Sequence, residues 1–538
     1  MSRCLTILEV SQKQNYIFSS NKVRDNIVNS AVIAYVLGEE YIGKILQNTD
    51  YVEEKNMVYS GGGHTILEFP DQETAKRMVA LITKRIYCEF DGLTVFAKNE
   101  IFDDSEHLDK CLTELTKSLE RKKSVRLASF HQGSYGIEKV DSGTMDIVEV
   151  APDSSIEKSE KRISEEKKKV EHTEYGVTAK EFTPDGYDPV YQFDELGGAK
   201  NDSNFISVVH IDGNGMGKRV EELYKVSSEK TWEESKELLK NFSKSIDDDF
   251  KKSYKEMIKE VAYNLQEKGL NEKLSLKDKK FPVRRIITAG DDICFVTEGR
   301  IGIECARIFI QKLTKKENKV DKKRYAACAG VVIVHQKYPF YRAYELAEML
   351  CSNAKKYGAQ ISPEDNGRRV SAIDWHIEFG ELKDSLDEIR QSYTTFDQNR
   401  LEMRPYIISL LDKDMDKDEY IDDEKYIAKK YDNFKRIISR IQNNESEYGN
   451  GKIKELRSAL KQGEVATRNY LIFNKMEDII VENKPKEDRI TELDLMRAFT
   501  GRTEKGMAFV LMSDNKKHSI LYDSIELMDS YIALEGGE

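Results

Sequence analysis

The sequence predicts an α/β protein built from two copies of a βαββαβα unit, each an α+β layer of ferredoxin-like type, followed by a helical C-terminal region. Three observations carry this reading. Short β-branched runs and helical periods recur in the same order over 1–150 and again over 204–380. Each copy contains a hairpin with a glycine-bearing turn, YSGGGHTIL at 59–67 and ITAGDDICF at 287–295. From about 378 onward the pattern is helical and charged.

The first copy opens with the strand CLTILEV at 4–10 and continues with a helix over about 24–46. The hairpin MVYSGGGHTILEF at 57–69 follows, then a helix over 71–88, the strand LTVFAKNEIF at 93–102 and a helix from Ser105 to about Arg121. Residues 154–172 hold five Glu and six Lys or Arg with only Ile156, Ile163 and Val170 as apolar positions. One apolar residue in seven cannot build a core, so an exposed helix or linker is expected there. The second copy opens with NFISVVHID at 204–212. A long helix between Thr231 and Lys268 is marked by Leu239, Phe242, Ile246, Phe250, Met257 and Val261, and Thr231 with Glu234 forms a capping box. The second hairpin, a helix near 301–314, the strand RYAACAGVVIVH at 324–335 and the helix FYRAYELAEMLCSNAKK complete the unit.

With 538 residues, about three domains are expected. Charged residues make up 34% and the net charge is −11, which argues against non-specific nucleic-acid binding as the main activity. No apolar leader follows MSRCLTILEV and no run is long enough to span a bilayer, so no membrane association and a cytoplasmic location are expected. Seven scattered cysteines, without a CxxC pair, read as reduced and buried.

The chemistry concentrates at two points. Asp212 ends an apolar strand and is followed by GNGMGK, a glycine-rich turn whose free N–H groups suit phosphate oxygens, although its spacing is not that of a Walker loop. Asp291 and Asp292 sit at the tip of the second hairpin. Brought together, the three carboxylates form a hard oxygen site for Mg²⁺ or Mn²⁺, and Gly290 leaves room for a triphosphate. When the two copies are laid on each other, Gly63 and His64 fall where the second has Asp291 and Asp292, and Ser11 falls opposite Asp212. Only the second copy therefore carries metal chemistry.

HIDGNGMGK at 210–218, AGDD at 289–292, CAGVVIVHQKYPFYRAYELAEMLCSNAKK at 328–356 and SAIDWHI at 371–377 resemble the GGDEF/polymerase palm. The likeness is closer to the large subunit of type III CRISPR effector complexes, number ten in the CRISPR-associated nomenclature. QKQNYIFSSNKVRDNIVNSA and SGGGHTIL resemble that family's degenerate first palm. The resemblance implies a first palm at 1–150, a charged connector at 151–203, a catalytic second palm at 204–380 and a helical domain at 381–538. It implies two GGDEF-like palms in pseudo-two-fold arrangement. The implied activity is Mg-dependent conversion of ATP to cyclic oligonucleotide messengers, cyclic oligoadenylate or a cyclic dinucleotide, in antiphage defence. Catalysis then falls to Asp212, Asp291 and Asp292, and the metal to these with Gly213. Nucleotide binding falls to Gly213, Asn214, Gly215, Gly217, Lys218, Gly290 and Lys355, and in the first copy to Gly62 and Gly63. Implied partners are nucleotides and other effector subunits with guide and target RNA; an oligomer is compatible with the sequence. Three departures stand out. Ala289 replaces a first glycine, no His-Asp dipeptide marks a nuclease domain, and no cysteine pairs mark a zinc ribbon. A reduced or free-standing member is expected.

Two further readings come from different classes: a non-catalytic scaffold in a CRISPR ribonucleoprotein, and a plain mononucleotide or dinucleotide cyclase. The calcium-like spacing of Asp412, Asp414 and Asp416 is read as a solvated loop, since Lys417 stands where a glycine is needed. His210, on the strand face of Asp212, reads as a packing or supporting residue, and His335 and His376 as fold-shaping ones.

Overall fold

The apolar strand β1 (Ser2–Ser11) lies between β3 (His64–Phe69) and β4 (Thr94–Asp103), and β2 (Met57–Gly61) closes an antiparallel sheet of order β2-β3-β1-β4. The computed structural model describes residues 2–20, 23–61, 63–103, 106–125, 164–196, 204–276, 279–380, 385–419, 426, 428–443, 448–476 and 508–535. Alternation along β1 feeds two cores, as period-2 side chains must. Leu5 and Ile7 pack with Leu112, Leu115 and Leu119 of helix α6 (Leu108–Ser124), while Cys4, Leu8 and Val10 join the main core on the other face. The remaining helices of this half are α1 (Lys13–Ile17), α2 (Val23–Val36), α3 (Glu39–Leu46), α4 (Glu53–Asn56) and α5 (Gln72–Glu89). The single helix expected over 24–46 is thus two. Gly38 is the extended N-cap of α3, and a side chain there would press on the Ala34 and Tyr35 carbonyls.

The linker-like segment is helical over α7 (Glu165–Thr173), passes through a π-helical turn at Glu174–Thr178 and ends in α8 (Ala179–Glu181). It is not a free linker: Val170 is buried, α7 packs on α2, and Arg24 pairs with Glu171 at 2.6 Å. Residues 154–163 lie outside the described residues.

The second half repeats the first with β5 (Phe205–Gly213), α9 (Met216–Ser227), α10 (Trp232–Glu267), α11 (Leu270–Leu274), β6 (Val283–Ala289), β7 (Asp292–Glu298), α12 (Gly302–Leu313), β8 (Ala327–His335) and α13 (Phe340–Ile361). Its strands run β6-β7-β5-β8, the order of the first half. The capping box of Thr231 and Glu234 is present. The halves exchange helices: α2 packs on β6, and α10 packs on β2. This reciprocity is the signature of a pseudo-two-fold axis.

Past β8 the sheet continues with β9 (Val370–Glu378), parallel to β8, and β10 (Tyr406–Leu410), antiparallel to β9. The second half's sheet therefore crosses the expected boundary at 380. Trp375 stacks on Tyr406 at 5.3 Å, which fixes β10 in place. The C-terminal region is helical in α14 (Leu386–Gln391), α15 (Tyr431–Asn443), α16 (Asn450–Gln462), α17 (Glu464–Phe473) and α18 (Tyr522–Leu527). It also carries a small hairpin, β11 (Phe509–Leu511) with β12 (Lys517–Ser519). It is fastened to the second half by Glu304 of α12, whose buried carboxylate accepts from Arg307, Tyr431, Lys435 and the Leu534 N–H. No helix among the described residues is long and apolar enough to cross a membrane.

Candidate active site

The β6–β7 turn is two residues long, because Ala289 pairs with Asp292 across it. Gly290 takes φ +65 there, the left-handed conformation such a turn needs and side chains resist. On the adjacent strand Asp212 is the register partner of Asp292, and the Gly213 N–H donates to the Asp291 carbonyl at 3.1 Å. Pairing geometry thus converges the three carboxylates.

That convergence has an electrostatic cost. Burial, then the Asp212 charge, pushes both Asp291 and Asp292 up to about 7. Asp292 Oδ1 is buried without a hydrogen-bond partner and lies 3.4 Å from His210 Nδ1. Burial pushes His210 below its ordinary range, against Asp212, so the contact is not a full ion pair near neutrality. Two cations act on the cluster, Lys355 at closest range and Lys13 on Asp292 from the first half. Lys355 Nζ lies 2.6 Å from Asp212 Oδ2 and donates to the Gly213 carbonyl at 3.0 Å. Burial lowers the Lys355 pKa, and the Asp212 carboxylate more than offsets it.

The donor set suits a hard divalent cation: four oxygen-bearing residues, Asp212, Gly213, Asp291 and Asp292, with the Asp212 charge raising both hairpin carboxyls and one carboxylate oxygen left unpartnered. Among the described residues no three His, Cys, Asp or Glu side chains are already closed into a metal-holding group. At this site Lys355 holds the contacts to Asp212 and Gly213 that a cation would take.

The glycine-rich turn leads into α9. Gly215, at φ +67, is packed under Arg368, whose Cγ a side chain there would strike. Asn214 is buried and its amide donates to the Val370 carbonyl at 2.6 Å, tying the turn to β9. Gly217 and Lys218 are exposed on the first turn of α9.

Asp291 and Asp292 open onto a cavity of about 1110 Å³ between the halves. Gly290, Tyr344 and Glu348 line it from the second half; Lys13, Gly61, Gly63 and His64 line it from the first. Asp212, Gly213, Lys218 and Lys355 are not among the residues that line it. Gly62 lies outside the described residues. Gln14 of the first half donates to both oxygens of Glu348, at 3.0 and 2.9 Å, closing one side.

The first half holds two residues that the sequence comparison missed. Its hairpin pairs Gly61 with His64, and His64 is the register partner of Glu9, with the Val10 N–H donating to the Gly63 carbonyl at 3.1 Å. These contacts match those of Asp292, Asp212 and Gly213 one for one. The counterpart of Asp212 is therefore Glu9, not Ser11, which lies two residues farther along β1. Glu9 pairs with Lys123 at 2.7 Å as Asp212 pairs with Lys355. Each lysine is the sixteenth residue of its helix, α6 or α13. The matching basic residues in ERKKS and NAKKY were the available signal.

Residues 205–361 match the family model of the Cas10/Cmr2 second palm domain. The chain is similar in structure to the Csm1–Csm4 cassette in complex with cA3, at 13% identity and TM-score 0.54, over 98% of this chain and 70% of that one. It is likewise similar to the cassette in complex with one ATP, at 13% identity and TM-score 0.53, over the same shares. With the cassette in complex with cA4 the identity is 15% and the TM-score 0.44, over 69% of this chain and 54% of that one, so the chain spans about half of that relative's length. No curated protein sequence matches. The common fold is that of the palm domains.

Proposed function

We propose, from the premise that this chain carries a second palm domain of the Cas10/Cmr2 family, that it is a nucleotidyl cyclase acting on ATP in a CRISPR effector system. The observation that carries this reading is the meeting of Asp212, Asp291 and Asp292 on paired strands, with the hairpin pair Asp291 and Asp292 opening onto a cavity of about 1110 Å³ lined by both halves. The reaction joins the 3′-oxygen of one nucleotide to the α-phosphorus of the other. The P–O bond to pyrophosphate breaks, the hydroxyl proton leaves to water, and repetition with a final ring closure gives a cyclic oligonucleotide. Mg²⁺ or Mn²⁺, bound by Asp212, the Gly213 carbonyl, Asp291 and Asp292, would supply charge neutralisation and activate the attacking oxygen.

The chain's own groups divide the remaining work. Gly290 leaves the phosphates free to approach the hairpin. The N–H groups of Gly213 and Asn214 are spent on the Asp291 and Ala326 carbonyls, so the turn offers phosphate those from Gly215 through Gly217, with Lys218 beside them, while Asn214 keeps the turn in shape. Lys355 exchanges its hold on Asp212 for the triphosphate. The division into a first palm at 1–150, a connector at 151–203, a second palm from 204 extended by β10, and a C-terminal region is part of this reading, as are effector subunits carrying RNA as partners. One observation favours a non-catalytic scaffold instead: Lys355 already neutralises Asp212. Incubating purified protein with each NTP and Mg²⁺ or Mn²⁺, alone and with partner subunits and target RNA, decides between them. Mass spectrometry should find a cyclic adenylate product, and the absence of product in every arm would leave the scaffold.

A further inference from the structure

The two large sheets end in four edge strands, β2 and β4 in the first half and β6 and β10 in the second. Unpaired N–H and C=O groups make an edge a template for a further strand, so proteins blunt their edges with bulges, proline or charge. Three of the four break their register: β2 between Met57 and Tyr59, β6 between Arg285 and Ile287, and β10 between Ile407 and Ser409. β4 does not. Its ten residues TVFAKNEIFD contain no proline and pair with β1 without a shift, and among the described residues no strand lies on its outer side. In the second half the same place is filled. Phe96 stands beside Glu9 as Cys328 stands beside Asp212, so Ala97–Phe102 corresponds to Ala329–Val334, the stretch of β8 on which β9 lies.

The Val10 N–H points to β3, so the residues of β1 that bond to β4 are Arg3, Leu5, Ile7 and Glu9, and their partners are Phe102, Glu100, Lys98 and Phe96. Val95, Ala97, Asn99 and Ile101 therefore turn their N–H and C=O groups outward, and Lys122 donates to the Ala97 carbonyl there at 2.8 Å. Laid antiparallel on itself about Asn99, this edge is self-complementary. Lys98 meets Glu100 of the second copy, Phe96 meets Phe102, and small Ala97 meets Ile101, which is 52% exposed. Lys98 and Glu100 already pair within the chain at 3.0 Å, so four charges alternate in sign across the axis. On the axis Asn99 meets Asn99, and its Oδ1, buried without a hydrogen-bond partner, gains an amide donor. We propose that β4 is a homodimer interface, at which a second copy of this chain adds its own β4 antiparallel about Asn99 and joins the two four-stranded sheets into one. This does not depend on the cyclase reading.

Sedimentation velocity of the full chain over a concentration series tests the interface. The native protein should pass from the mass of one chain to twice that mass as concentration rises. Asn99→Pro removes an outward N–H and leaves the bonds to β1 in place, so it should weaken association about tenfold or more, with a thermal melt to check the fold. Lys98→Glu and Glu100→Lys should each weaken association several-fold, because like charges then face each other across the axis. An equimolar mixture of the two should associate as the native chain does. That rescue requires the antiparallel register and cannot come from a folding defect, so it decides the matter if Asn99→Pro lowers the melting temperature. A native chain that stays monomeric at every concentration, whether its amides at 95–101 exchange freely or are protected by another part of the chain, would overturn the interface. So would undiminished association of folded Asn99→Pro, or charge variants that remain apart when mixed.

Discussion

The β2–β3 turn and the β6–β7 turn occupy equivalent places in equivalent sheets, yet their charges are reversed. Hairpin length, strand register, the N–H bond to the turn carbonyl and a helix-borne lysine facing a carboxylate recur in both. What differs is the tip: Gly63 and His64 against Asp291 and Asp292. A duplicated frame is held by its buried positions, because Leu5 and Leu8 of β1 and their counterparts Val208 and Ile211 of β5 must fill the same kind of space. The tips carry no such burden and are free to specialise.

Several measurements would break or sharpen this contrast, the largest first. Asp291→Ala with Asp292→Ala should reduce nucleotide turnover by about a thousandfold or more, since too few ligands remain for the metal. Removal of two crowded carboxylates should leave the melting temperature unchanged or slightly raised near pH 8. Undiminished product by mass spectrometry would erase the distinction between the halves.

Acid should weaken the join between the second half and the C-terminal region. Glu304 resists its own burial through Arg307 and Lys435, which hold its carboxyl down at about 2. A depressed carboxyl contributes stability that is complete above the unfolded value of about 4.5 and lost as pH falls toward 2, on the order of 3 kcal/mol. Glu304→Gln should therefore lower stability at pH 7 and flatten its loss between those limits, read by denaturant unfolding at a series of pH values. A slope unchanged in the variant would assign the acid sensitivity elsewhere.

Lys355→Ala and Lys123→Ala form a matched pair. Each should raise the apparent KM for ATP about tenfold, or about 1.4 kcal/mol. Only the first should also change the metal concentration giving half-maximal activity, because Lys355 shares Asp212 with the cation. Identical metal dependence in both variants would mean that the halves are less different than their tips suggest.

The smallest effect concerns restoration. Gly63→Asp with His64→Asp should add no turnover, because Lys13 stands beside the new carboxylates, and should cost about 1 kcal/mol for a side chain at φ +75. A gain in product, or metal bound at this turn in a crystal structure, would show that two substitutions suffice to equalise the halves.

The order of strands and helices, both hairpins, the capping box and the aspartate pair were all legible, since each depends on neighbours in sequence. Glu9 was not. A strand slipped by two residues keeps every side chain on its own face, so alternation in CLTILEVS cannot distinguish Glu9 from Ser11; only the ladder to His64 does. The strand β10 was hidden because five residues between Pro405 and Leu411 are too few to show a period, and it is fixed by the distant Trp375. The break at Gly38 was lost within a continuous apolar pattern on either side.

Helix α10 has a consequence for which chain lengths the fold can tolerate. Its 36 residues span about 54 Å. Near its start Trp232 and Lys236 bond to Glu68 of the first sheet, its middle presents Lys240 and Lys244 to the cavity, and near its end Asn264 exchanges two hydrogen bonds with Glu535. One residue inserted between 236 and 240 would turn everything beyond it by about 100°. Either the lysines would leave the cavity or the anchors at one end would let go. Insertions and deletions should therefore gather in the connecting loops, and the spacing from Trp232 to Asn264 should stay constant even where the residues between them change.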